Sequence, residues 1–220
     1  MTEIQVAVLD MAGTTVADDG LVEKAFRSAA ESVGVRPNQQ MIDYVRGTMG
    51  ESKISVMRAL FADENQAQAA NKAFEEAYDG LIDVGNCAPI AGAADAITRL
   101  REAGIKVALT TGFSRSTQDR ILDALGWRDL ADLTLCPAEV GRGRPFPDLN
   151  LTAAIRLEIE DVRRMATAGD TAYDIVAGVR SGAGIVAGVR TGAHDERRLR
   201  DAGATHVIDS IAELPDLLLR

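Results

Sequence analysis

Four short stretches of the 220-residue sequence combine residue types that could do chemistry. In the first, VAVLDMAGTT, an apolar run stops at Asp10, and Gly13 with two threonines suits the tight turn that follows. KVALTTGFS ends a second apolar run on Thr111 and Gly112, a hydroxyl beside an open backbone N–H. GRGRPFPD carries Arg144 in a proline-rich loop. MATAGDTAYD ends a third run at Asp170 and places Asp174 one helical turn later. Singly, each has an ordinary structural explanation, because Asp and Thr cap helices and a loop Arg is usually solvated. Together they suit a phosphoryl group. Two carboxylates can hold Mg²⁺ through hard oxygen ligands, while Thr111, backbone N–H groups and Arg144 neutralise phosphate oxygens. With that charge masked, Asp10 could attack phosphorus and form an aspartyl-phosphate that water later cleaves.

The elements that must position these residues are legible in the periodicity. Short β-branched or apolar runs at 4–9, 105–110, 133–135, 164–168, 185–189 and 206–208 read as buried parallel strands. Helical patterns lie between them, several stopped by glycine, as at Gly104, Gly126 and Gly203. Alternation of this kind predicts an α/β fold with a doubly wound parallel-sheet (Rossmann-like) core. Residues 16–86 break the alternation. They contain no convincing strand, and their apolar residues recur at helical spacing: Val22, Ala25, Phe26 and Ala29, then Ile54, Met57, Leu60 and Phe61, then Ala70, Ala73, Phe74 and Tyr78. The expected organisation is a core of 1–15 and 87–220 with an inserted helical cap domain at 16–86, emerging at the sheet edge where α/β proteins bind ligands. Asp18-Asp19-Gly20 and the stretch from Asp83 to Pro89 have hinge chemistry.

Composition removes other classes. Asp+Glu outnumber Lys+Arg by 33 to 24, and no basic stripe interleaves with aromatics, so nucleic-acid binding lacks its electrostatic footprint. No apolar stretch reaches membrane-spanning length and no basic n-region precedes the first run, which points to no membrane association and a cytoplasmic location. Cys87, Cys136, His194 and His206 have neither disulfide-framework nor zinc-site spacing. Gly47 to Lys53 fails as a phosphate loop, since its Lys does not follow a Gly and no strand precedes it. Gly182 to Ala187 fails as a dinucleotide fingerprint, since it runs from helix to strand rather than the reverse. The echo of AGVRSGA in AGVRTGA spans unlike elements and is no repeat.

DxxGT at Asp10 and GDxxxD at Asp170, flanking a helical insertion, resemble the haloacid dehalogenase superfamily of phosphoryl-transfer enzymes over essentially the whole chain. The resemblance implies that Asp10 is the nucleophile and a Mg²⁺ ligand, that the Ala12 carbonyl and Asp170 are further ligands, and that Asp174 supports the metal shell. It also implies that Thr111, Gly112 and Arg144, with Met11 and Ala12, hold phosphate. One departure is informative. Most phosphatases of the superfamily carry an acid two residues after the nucleophile, and here that position is Ala12. Alanine moves no proton, which forfeits roughly 10²–10⁴ in rate for ordinary ester hydrolysis.

The phosphonoacetaldehyde hydrolase (phosphonatase) branch shares that alanine, and its DxAGTT is similar to DMAGTT here. Its cap lysine forms an imine with the aldehyde, drawing electrons from the breaking P–C bond, so no acid on a departing oxygen is needed. Met49-Gly50-Glu51-Ser52-Lys53 resembles the branch's MGxxK segment and makes Lys53 the catalytic candidate, with Met49 and Gly50 beside the substrate. A second departure cuts the other way: the branch has a His three residues after this lysine, and this chain has Val56. Water or Glu51 would then move protons. The expectation is a Mg²⁺-dependent phosphonatase-like hydrolase acting on a small phosphonate or phosphate ester, as a monomer or homodimer. The alternatives are a phosphomonoesterase of the same superfamily and a non-catalytic phosphometabolite-binding relative.

Overall fold

The computed structural model describes residues 3–219. Six parallel strands form one sheet: β1 (Val6–Asp10), β2 (Lys106–Thr110), β3 (Leu133–Leu135), β4 (Met165–Gly169), β5 (Ile185–Val189) and β6 (His206–Ile208), in the order β3-β2-β1-β4-β5-β6. β1 and β4 are buried at every position, which explains their unbroken small or apolar sequences. The chain runs outward from β1 through β2 and β3, then returns to β4 and runs outward the other way. The order therefore reverses between β1 and β4, and the crevice beyond their C-terminal ends is the place such sheets offer to ligands. Register aligns Asp10 with Thr110, and Leu9 with Ala168, so Asp170 emerges just past the end of β4 beside Asp10.

Three strands differ slightly from their sequence reading: β1 starts at Val6 rather than at 4, and β2 starts at Lys106 rather than at 105. β1 extends to Asp10 because Asp10 still pairs with Thr110 across the ladder. β4 begins at Met165 because Arg164 belongs to a short 3₁₀ turn, Val162–Arg164, capped by the Asp161 side chain.

Between β1 and the first sheet-packing helix, α5 (Ala93–Glu102), lie α1 (Leu21–Ser32), α2 (Gln39–Gly47), α3 (Lys53–Leu60) and α4 (Glu64–Leu81). Leu21, Val22, Ala25, Phe26, Ala29 and Ala30 form the buried face of α1. The buried face of α4 is Ala67, Ala70, Phe74 and Tyr78, and alanines on both helices allow close approach. Asn38 caps α2 through Met41 N–H (3.0 Å) and Asp63 caps α4 through Gln66 N–H (2.9 Å). The insertion is closed at its base by a short antiparallel crossing. Ala17 N–H donates to Ala88 O (2.9 Å) and Ile90 N–H donates to Thr15 O (2.9 Å), with Val16 opposite Pro89. α4 ends in an irregular turn, Ile82–Asn86, where Gly85 takes φ 85°.

The remaining helices, α6 (Arg115–Leu125), α7 (Asp148–Arg156), α8 (Ala172–Ser181), α9 (Glu196–Asp201) and α10 (Leu214–Leu218), complete the fold. Among the described residues no helix is long and apolar enough to cross a membrane. An aromatic cluster joins the insertion to the sheet. Phe74 and Tyr78 of α4 lie 6.3 and 4.5 Å from Phe113, which follows β2. Phe74→Ala should therefore lower unfolding free energy by about 3–5 kcal/mol, the cost of emptying a buried aromatic site. Urea unfolding followed by circular dichroism checks this, and a loss below about 1 kcal/mol would mean that the cluster carries little of the stability.

Candidate active site

Asp10, Asp170 and Asp174 meet at the crevice because one ends β1, one follows β4, and the third lies one turn into α8. Each offers a carboxylate oxygen within 4.8 Å of the others, and all three are buried. Burial of three acids is untenable without compensation, and Arg144 supplies part of it. Its Nη1 lies 2.7 Å from Asp10 Oδ1 and its Nε 2.8 Å from Asp174 Oδ1. Neither contact is aligned as a hydrogen bond, so Arg144 Nη1 and Asp174 Oδ1 keep their hydrogen-bonding capacity. The guanidinium is aimed instead by Nη2 donating to Thr110 Oγ1 (2.7 Å), and Thr110 donates onward to Leu9 O (3.3 Å).

Asp170 is fixed by two donors, Thr14 Oγ1 (3.2 Å) and Ala193 N–H (2.7 Å). Gly13 and Gly192 wall it in. A Cβ at either would come within 2.5 or 2.0 Å of Asp170 Oδ2. Asp174 Oδ2 accepts from Thr171 N–H and Thr171 Oγ1, which caps α8 and leaves Oδ1 facing Arg144. Burial pushes the Asp170 carboxyl up to about 7, with Asp174 adding repulsion, and raises Asp10 well above the carboxylate range against the pull of Arg144. Three carboxylates against one guanidinium leave two negative charges. A divalent cation fits that surplus, the hard oxygen donors and an Asp174 Oδ1 that is ion-paired with Arg144 but accepts no hydrogen bond.

The insertion covers this cluster. The loop before α3 packs so tightly on the sheet that two glycines are obligatory. A Cβ on Gly112 would sit 2.6 Å from Glu51 O, and one on Gly50, at φ 91°, 2.5 Å from Thr171 Oγ1. Lys53, the first residue of α3, is thereby buried, with Nζ 5.2 Å from the Phe113 ring centroid. Desolvation lowers the Lys53 pKa, opposed by the charges of Asp18 and Asp10. Thr111 Oγ1 accepts from Phe113 N–H (3.2 Å), which leaves its own proton free to donate. A cavity of about 20 Å³, room for one water-sized group, remains among Asp10, Ala12, Lys53, Thr111, Arg144 and Asp170.

Residues 4–182 match the haloacid dehalogenase-like hydrolase family. The chain belongs to that family of hydrolases. It is 30% identical over 198 residues to a phosphonoacetaldehyde hydrolase of Pseudomonas putida (strain W619), covering 82% of this chain and 71% of that relative. Among solved structures, a hydrolase from Pseudomonas syringae superposes with TM-score 0.87 at 21% identity, covering 97% of both chains. A phosphonoacetaldehyde hydrolase-like protein from Oleispira antarctica superposes with TM-score 0.86 at 24% identity, covering 98% of this chain and 91% of that one. Both likenesses are of fold.

Within this haloacid dehalogenase-like frame, Asp10, Ala12, Met49, Gly50, Lys53, Thr111, Gly112, Arg144 and Asp170 share the cavity wall. Asp174 stands behind them in the carboxylate cluster. Met11 does not reach the cavity. Its side chain is buried in the core against Gln118, so only its backbone is offered to a ligand. Sequence reasoning missed Thr110, Phe113, Thr14 and Asp18. Thr110 and Phe113 lie inside the KVALTTGFS stretch but flank the pair singled out there, Asp18 reads only as hinge chemistry, and Thr14 has a place in the AGTT turn that could have marked it as an orienter of Asp170.

A pH dependence follows. A carboxyl whose folded pKa is raised from 3.8 to about 7 contributes its stability fully below the unfolded value and loses it as pH rises through about 7. Without divalent cation, melting temperature should therefore fall across that window. A divalent cation held by this cluster would bind its ionised form, so the stabilising shift on adding Mg²⁺ should be larger at pH 8 than at pH 5, about 5–10 °C at a hundredfold excess over Kd. Differential scanning fluorimetry checks this. An equal shift at both pH values, or one retained in Asp170→Asn, would remove Asp170 from the metal.

Proposed function

We propose that this hydrolase cleaves a P–C bond in a phosphonoacetaldehyde-like substrate, with Asp10 as nucleophile, Lys53 as imine former and Mg²⁺ as cofactor. The supporting observation is Lys53 itself: a buried lysine of lowered pKa, without a carboxylate ion pair among the described residues, facing the cavity that Asp10 enters from the other side. The unprotonated amine, which a lowered pKa favours, is the form that attacks a carbonyl. Asp10, the Ala12 carbonyl and Asp170 would hold the ion, with Asp174 behind them. When bound it supplies Lewis-acid neutralisation of the transferring phosphoryl oxygens.

In this reading Lys53 Nζ adds to the aldehyde carbon and water leaves, giving a protonated imine. An Asp10 oxygen attacks phosphorus, and the P–C electron pair moves into the imine to give an enamine. Arg144 and Thr111 donate to phosphoryl oxygens, and Gly112 admits them against the backbone. Water then cleaves the aspartyl-phosphate to inorganic phosphate. The enamine takes a proton and hydrolyses, releasing the aldehyde product and free Lys53. Ala12 is adequate because no alkoxide departs. Val56 lies buried among apolar residues of the insertion, so proton transfer near Lys53 falls to water, Glu51 or Asp18.

Asp10→Asn should preserve the fold and reduce phosphate release from phosphonoacetaldehyde by several orders of magnitude. Borohydride added with that substrate should inactivate the wild type and add mass to the Lys53 peptide. Lys53→Arg keeps a cation but forms no imine. It should abolish P–C cleavage while sparing any ester hydrolysis. Absence of the adduct, with equal losses on phosphonate and p-nitrophenyl phosphate in Lys53→Arg, would favour the phosphomonoesterase reading. Tight phosphate binding without turnover of either would favour a binding protein.

A cavity of about 20 Å³ is too small for such a substrate, so residues 16–86 act in this reading as a cap that opens. Small-angle scattering with Mg²⁺ should show compaction when an aspartyl-phosphate mimic such as beryllofluoride is added. Superimposable profiles would argue for a fixed insertion.

A further inference from the structure

The segment that follows β5 passes directly behind Asp170. Ala193 N–H donates to Asp170 Oδ2 (2.7 Å), His194 N–H donates to Asp170 O (3.2 Å), and Thr191 Oγ1 donates to Gly13 O (2.7 Å) in the turn after β1. Residues 191–194 thus hold the carboxylate, the backbone of the same residue and the turn that follows the nucleophile. Yet the segment is a surface loop. From Arg190 to Arg198 every residue is exposed except His194, which is 4% exposed. A loop that buries so little opens locally at small free-energy cost, so the hydrogen bond from Ala193 to a buried acid depends on an anchor.

The imidazole is that anchor, and it works through one nitrogen. Ala172 N–H, an amide of the first turn of α8 with no partner inside its own helix, donates to His194 Nδ1 (2.8 Å). His194 therefore grips the chain on both sides of Thr171, by its main-chain N–H at Asp170 and by its ring at Ala172. Accepting at Nδ1 leaves the ring proton on Nε2, and Nε2 is buried without a hydrogen-bond partner. A side chain that only filled space would not carry that cost. Leucine would occupy the same room, but it could not hold Ala172.

Resting on the reading of Asp170 as a metal ligand, we propose that His194 is a positioning residue for the divalent cation. Its Nδ1 pins the loop after β5 to the start of α8, and the pinned loop keeps the Asp170 carboxylate turned toward Asp10 and Asp174. His194 touches neither the ion nor the reacting atoms. It acts through Asp170 alone.

Calorimetric titration of the substrate-free protein with Mg²⁺ at pH 8 tests this in His194→Asn, His194→Gln and His194→Leu. Asn presents Oδ1 in the place of Nδ1, whereas Gln presents its oxygen nearer the place of Nε2. His194→Leu and His194→Gln should bind Mg²⁺ roughly 10–100-fold more weakly, as when a group that orients a metal ligand is lost, while His194→Asn stays close to wild type. Packing alone would rank the variants by volume instead, with His194→Asn the weakest. Should a variant not fold, nitrogen NMR of the wild type reads the same contact: at pH 7 the ring should be neutral, protonated on Nε2, with Nδ1 coupled to the Ala172 amide across the hydrogen bond. A proton on Nδ1, or any ranking in which His194→Asn is not the tightest of the three, overturns this inference alone. If the wild type binds no Mg²⁺, or Asp170→Asn binds it as tightly as wild type, the metal reading fails and this inference with it.

Discussion

Three carboxylates and one guanidinium share a buried volume at the end of a parallel sheet, and the arrangement of everything around them follows from the charge they leave over. Ionised acids in a low-dielectric site repel one another strongly, and removing any single cation partner would strand a charge. The chain meets this with fixed donors rather than mobile solvent: Thr14 and Ala193 on Asp170, Thr171 on Asp174, Thr110 behind Arg144. Each donor sits on a different segment, so the strand register that brings Asp10 level with Thr110 is as necessary to the electrostatics as the charged residues themselves. What stays unbalanced is a divalent deficit, matched to a hard cation and, after it, to an anionic phosphoryl group.

The insertion acts on the same electrostatics from above. Two glycines let its loop approach within contact of the sheet, and that closeness strips water from Lys53. In water a lysine is a poor nucleophile because it is protonated. Desolvation favours the free amine without any dedicated base, as the proposed imine-forming role of Lys53 requires. Asp18 opposes the effect. Burial pushes its own carboxyl up to about 6, so its charge, and hence its hold on the Lys53 proton, weakens toward acidic pH. Lys53 and Asp18 thus sit on a balance set by how closely the insertion packs.

Much of this was legible in the sequence, for reasons that differ by residue. Asp10 and Asp170 stood out because unbroken runs of β-branched and small residues end at or just before them, and such runs need no knowledge of the partner strands. The helical insertion was legible from its 3.6-residue spacing. Thr110, by contrast, looks like any last residue of a strand; it matters only because register sets it beneath Arg144, 34 residues away along the chain and adjacent in space. Phe113 reads as core from composition, and its service as the floor under Lys53 depends on α4 docking against β2. Met11 shows the converse, since its place beside the nucleophile suggests contact with substrate while the alternation of the strand turns its side chain into the core.

The crossing of Val16 with Pro89 has a consequence for how such a chain changes over time. The two backbones that lead into and out of the insertion are hydrogen-bonded to each other at its base, so the ends of the intervening stretch are already held together by the sheet-bearing unit. Loop-closure entropy then depends only weakly on how many residues hang beyond that point. Changes of length at the far end of the insertion therefore cost little in closure and leave the pairing of Asp10 with Thr110 in place. The sheet-bearing unit that holds Asp10, Asp170 and Arg144 is in this sense a fixed socket, and the insertion that carries Lys53 is an exchangeable fitting.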